Sequence, residues 1–107
     1  MTEIQAWAAS RTDSVRVHAG ESGLPVSIQI DPGELRYSGE ELARTILDLC
    51  GRATSAARAE RRTRLEQDGM DPDVLDRLGL PTAAAVAEAE NERLDNETGR
   101  TGWMNSL

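Results

Sequence analysis

The sequence predicts an α+β fold: a small antiparallel sheet of about three strands, covered by one long helix and followed by two shorter ones. Three observations predict it. Two runs that alternate apolar and polar residues, 14–19 and 25–31, flank a turn with two glycines. A Ser38-Gly-Glu-Glu41 start signal opens a stretch whose apolar residues recur every three or four positions. Two further helix starts, Asp71-Pro72 and Thr82, follow it.

The first strand is expected over 3–8, where Ile4 and Trp7 are the only large apolar residues among alanines. The second, 14–19, places Val15 and Val17 on one face and Ser14, Arg16 and His18 on the other, which is the period of a half-buried strand. The third, 25–31, sets Val26, Ile28 and Ile30 inward and Ser27, Gln29 and Asp31 outward. Joined by Gly20–Leu24, these two read as a hairpin. A lone hairpin is marginal in water, so its apolar face needs a cover.

That cover is the long helix, expected over 39–67. Ser38 is its N-cap, with Glu41 completing a capping box. Leu42, Ile46, Leu49, Ala53 and Ala56/Ala57 form the apolar stripe. Beyond Ala57 the stripe fades into arginines, so this end is expected to project past the sheet. Gly69 stops the helix. Asp71 and Pro72 then start a helix over 72–78, the Asp as N-cap and the Pro as first helical residue. Thr82 caps a third over 83–95, with Ala83, Val86, Ala87, Glu90 and Leu94 as a weak contact stripe. The chain thus divides into a core (1–67), a helical arm (68–95) and a tail (96–107) expected to be disordered.

A chain of 107 residues has room for one domain. Hydrophobic residues make up 38% and Phe is absent, so the core is thin and a homodimer is expected as reinforcement. The formal charge of −7 disfavours non-specific nucleic-acid binding. The charge is uneven. Residues 52–64 hold five Arg and one Glu, net +4, while 68–107 hold nine acids and three Arg, net −6. A basic helix end followed by an acidic arm can pair with itself or with a neighbouring chain. There is no apolar run long enough to span a membrane and no signal-peptide pattern, so a cytoplasmic location is expected.

No catalytic, cofactor-binding or metal-ligating set is expected. His18 and Cys50 are the only residues of their kinds, too few for a closed zinc site, and Cys50 falls in an apolar helical stretch as a small core residue. No Gly-x-Ser-x-Gly elbow and no glycine-rich phosphate loop is present. Paired acids such as Glu40/Glu41 and Asp71/Asp73 sit at helix starts, where the dipole favours them. The expected function is therefore binding rather than catalysis. The expected dimer or partner interface is Trp7, Val15, Val17, Val26, Ile28, Ile30, Leu42, Ile46 and Leu49. Arg52, Arg58, Arg61, Arg62 and Arg64 form a basic cluster that would meet an acidic partner or nucleic acid. Trp103 in the tail is a second candidate anchor.

Val15-Arg-Val17, the glycine turn and Val26-Ser-Ile-Gln-Ile-Asp31-Pro32 resemble the central hairpin of the YbaB/EbfC nucleoid-associated family. Glu41-Leu42, Ile46 and Ala53 to Ala57 resemble the start and body of that family's C-terminal helix. The resemblance covers roughly 13–60 and implies a YbaB-like core, a dimer and DNA binding, here through the arginine cluster. A longer resemblance, about 3–94, runs to the Esp-type accessory proteins of actinobacterial ESX (type VII) secretion systems, EspD and EspH in particular. It takes in the strand near Glu3-Ile4, both alternating strands and the helix Leu42-Ala-Arg-Thr-Ile46-Leu-Asp-Leu49. It continues through Leu78-Gly-Leu80-Pro81-Thr82 and Ala87-Glu-Ala-Glu90. This one implies a cytosolic accessory role, such as stabilising or chaperoning secretion substrates. Tyr37 to Glu41 also fits the Tyr-x-x-x-Asp/Glu pattern of type VII substrates, though helix capping already accounts for Glu41.

Overall fold

The structure is a computed structural model that describes residues 3–36 and 38–93. The expected α+β architecture is present. Strands β1 (Gln5–Ala9), β2 (Val15–Gly20) and β3 (Pro25–Ile30) form one antiparallel sheet in the order β1-β2-β3. A 3-10 turn over Pro32–Arg36, not foreseen, leads from β3 to α1 (Gly39–Gln67). The arm holds α2 (Pro72–Arg77) and α3, helical through 83–93. The tail expected to be disordered, with Trp103, lies outside the described residues, as do Leu94 and Tyr37.

Local chemistry sets the helix ends. The Glu41 amide donates to the Ser38 hydroxyl at 3.1 Å, as the capping motif requires. At the far end of α1 the Met70 amide donates to the Leu65 carbonyl and the Gly69 amide to that of Glu66. This is a Schellman turn, and Gly69 at φ +94° supplies the left-handed residue it needs. The arrangement repeats after α2, where the amides of Gly79 and Leu80 donate to the carbonyls of Asp76 and Leu75. Thr82 then caps α3 by accepting from the Ala85 amide. Two rigid turns thus fix the path of the arm back along α1.

The core lies between α1 and the sheet, built on Val15, Val17, Ala19, Leu49 and Ala53. Among the described residues nine apolar side chains are buried, four of them alanine and none aromatic. The thin core read from the composition is therefore what the chain builds.

The helix does not cover the sheet as the patterning suggested. It packs over β2 and β1 and at most grazes β3. The register sets Ile28 opposite Val17 and Ile30 opposite Val15, so both isoleucines do point to the helix side. Yet Val17 is fully buried while Ile28 is 42% exposed. Val26 falls at an irregularity between His18 and Ala19 that leaves it without a partner on β2, and it is exposed too. The basic end of α1, expected to project past the sheet, is covered by the arm, with Ala59 and Arg62 buried there.

Candidate interaction surface

The expected interface residues separate into three groups. Val15, Val17 and Leu49 are buried in the chain's own core and are not available to a partner. Ile30, Leu42 and Ile46 are half-buried against that core. Trp7, Val26 and Ile28 are exposed.

Trp7 stands apart from the other two. It lies on the outer face of the sheet, opposite His18, and its ring stacks on the imidazole at 4.5 Å with the planes 4° from parallel. It is neither a core residue nor a neighbour of β3's apolar side. The stack shields part of His18, which had been expected on an open strand face.

Ile28 and Val26 lie instead on β3, which α1 hardly reaches. Leu47 is 72% exposed, and Cys50, one turn further on, donates its thiol to the Gly23 carbonyl in the β2–β3 turn. With α1 at most grazing β3, Val26 and Ile28 are open to solvent among the described residues, and Leu24 in the turn before β3 is exposed as well. Leu47 stands on the rim of the groove that α1 forms with α3. The sequence pattern had assigned Ile28 to the interior and had not singled out Leu47, which falls off the stripe. A smaller exposed patch, Met70, Val74 and Leu78, lies on the arm.

The arginine cluster is largely engaged within the chain. Arg52 makes a two-pronged pair with Glu90 of α3, at 2.7 and 3.0 Å, and a third nitrogen donates to the Ala9 carbonyl of β1. Arg61 forms a two-pronged pair with Glu21 at 2.7 and 2.9 Å. The same Glu21 carboxylate accepts the Ile4 amide. The Arg61 guanidinium holds the Glu21 carboxyl below its ordinary range, and the Ile4 amide adds to the effect. Arg62, only 6% exposed, donates to Asp76 at 2.6 Å, to Glu66 at 2.7 Å and to the Leu80 carbonyl at 2.8 Å, tying α2 to α1. Arg64 pairs on the surface with Glu60. Arg58 is exposed. The structure therefore realises the self-pairing of basic helix and acidic arm that the charge distribution allowed.

An open groove of about 470 Å³ runs between α1 and α3. Leu47, Gly51 and Ser55 line it from one side, Ala85, Val86 and Ala89 from the other. Small side chains on both helices leave it shallow, and the Arg52–Glu90 pair bridges its rim. Among the described residues no set of three or more His, Cys, Asp or Glu is placed to hold a metal ion. None of the described helices is long and apolar enough to cross a membrane.

No family model, curated protein or solved structure matches this chain.

Proposed function

We propose that this protein is a non-enzymatic protein-binding module, an accessory or chaperone-like component of type VII (ESX) secretion acting in the cytoplasm. It takes hold of another polypeptide at the open side of β3. The observation that carries the binding reading is the state of β3. Among the described residues it is an edge strand without a single charged residue, and Ile28 on its helix-facing side is left 42% exposed. Folded proteins usually blunt such an edge with charge or a cover, because a bare one invites another chain. The secretion setting rests on the residue patterns shared with the Esp-type proteins. The nucleic-acid alternative asks the arginine cluster to face phosphates, whereas four of its five members already face carboxylates.

The test is affinity purification of the tagged full chain from its native host, after chemical cross-linking. Wild type and Val26→Asp are compared, since Val26 is exposed on β3 itself and its replacement leaves the core alone. The expected result is a secretion substrate or component held by wild type and lost from the variant. Equal recovery from both, or recovery of neither class, removes the reading.

A further inference from the structure

The reading of β3 as a contact surface leaves open what meets its hydrogen-bonding edge. We propose that the edge pairs with β3 of a second copy of this chain, antiparallel, about a two-fold axis at Gln29. The proposal rests on that reading and names one occupant for it.

The backbone supplies the first argument. The Asp31 amide donates to the Ser14 carbonyl on β2 at 2.8 Å, so residues in step with Asp31 turn their backbone groups toward β2. Ile28 and Ile30 fall on the alternate positions, and their N–H and C=O groups point away from the sheet. The irregularity at Val26 blunts the beginning of the strand and leaves Ser27 to Asp31 as its regular part. Gln29 is the middle of that stretch.

Self-complementarity supplies the second. With the axis at Gln29, Ile28 lies opposite Ile30 of the second copy, and Ile30 opposite its Ile28. Those two pairs exchange the outward-pointing backbone hydrogen bonds and join isoleucine to isoleucine on the helix side, where Ile28 is 42% exposed within its own copy and Ile30 packs against the edge of the core. On the outer side Gln29 meets its own copy and Ser27 meets Asp31, an amide pair and a hydroxyl–carboxylate pair. No two like charges are opposed, as a symmetric interface requires.

The thin core supplies the third. Nine buried apolar residues among those described, four of them alanine, make a small core for a domain of this size, and association adds burial. Pairing also keeps the surface usable. Each α1 lies over β1 and β2, so the two helices stand about four strand spacings apart, roughly 19 Å. Packed helices lie about 8–10 Å apart, so the helices cannot close on each other. The trough between them, floored by Ile28 and Ile30 of both copies, stays open to a third chain.

The experiment is disulfide trapping with sedimentation. Gln29→Cys is made in a Cys50→Ser background, and Gln5→Cys, on the opposite edge, serves as control. Facing residues at a non-hydrogen-bonded site have Cα atoms about 4.5 Å apart, within reach of a disulfide. With diamide as oxidant, the Gln29→Cys chain is expected to run at twice its 11.6 kDa on a non-reducing gel and the Gln5→Cys chain at 11.6 kDa. Without substitutions the protein is expected to sediment as a dimer, and Ile28→Asp as a monomer with unchanged circular dichroism. A wild-type monomer at every concentration, a dimer that survives Ile28→Asp, or trapping at Gln5 and not at Gln29 overturns the proposal. The two readings fail separately. A monomer whose client is lost with Val26→Asp keeps the binding surface and removes the pairing, and a dimer with no client does the reverse.

Discussion

At the β1 edge of the sheet, the Ala9 carbonyl receives the Arg52 guanidinium, which Glu90 of α3 grips from the other side. On the inner side of the same strand, facing β2, the Ile4 amide is held by Glu21, itself held by Arg61. At the β3 edge, among the described residues, there is no further strand, no charged side chain on the strand, and little of α1 above it. One sheet thus has one edge closed by charge and by the arm, and one left open. Two acids of the arm meet arginines of α1: Glu90 reaches Arg52 at the closed edge and Asp76 reaches Arg62. These pairs give the uneven charge of the sequence a structural meaning, since they fasten the arm to the basic helix.

The largest effect that sharpens this contrast comes from two cross-strand neighbours. Val17 and Ile28 face each other on adjacent strands, on the same side of the sheet. Val17→Ala leaves a cavity in the core and is expected to cost about 2–3 kcal/mol. Ile28→Ala removes a larger side chain yet is expected to cost only about 1 kcal/mol in the dilute monomer, because much of that side chain is in water already. Urea unfolding at sub-micromolar concentration reads both. Equal costs would mean that β3 is covered after all.

Next in size is the cover of β1. Arg52→Ala removes the pair to Glu90 and the bond to Ala9, with an expected loss of about 1–2 kcal/mol for a partly solvated charged pair. Hydrogen exchange should then quicken in α3 and β1 while β3 is unchanged. Uniform quickening would show that the arm is no separate clamp.

A smaller effect follows from acid. The folded-state pKa of Glu21 is depressed, so its contribution is complete above the ordinary glutamate value of 4.5. It is lost as pH falls from there through the lower folded value. Melting temperature should therefore decline on acidification below about pH 4.5, and Arg61→Ala should flatten that part of the decline. An unaltered acid limb in Arg61→Ala would show that the Glu21–Arg61 pair does not set the acid response.

The elements were legible in the sequence and their coverage was not. Alternation marked β2 and β3, and the Ser38 cap placed α1 at Gly39. A period of two tells which side chains share a face, but not how far a helix extends over that face. Ile28 and Val17 carry the same pattern signal and end in opposite environments. The five arginines had a legible net charge and no legible partners, because Arg52 meets Glu90 38 residues away and Arg61 meets Glu21 40 residues away. Arg62 reads as a surface residue in any run of arginines. Only the turn at Gly69 and Gly79, which swings Asp76 and the Leu80 carbonyl onto it, accounts for its burial.

The smallest expected effect is a null one, and it tests what the paired arginines can still do. In a gel-shift titration against duplex DNA at ~50 mM salt, phosphate attraction is near its strongest, and each phosphate contact steepens the fall toward ~200 mM. Here a phosphate must displace a carboxylate from Arg52, Arg61 or Arg62. Each is held by two or more hydrogen bonds and so loses strong charge-assisted contacts on release. A chain of net charge −7 also repels the duplex at long range. No retardation is therefore expected up to ~10 μM protein at either salt, concentrations at which a non-specific DNA binder is engaged. A band that forms at low salt and collapses at high salt would mean that the carboxylates yield. The cover of β1 would then be a switch rather than a closure, and Arg52→Ala, which uncovers the same edge, would have to weaken the band.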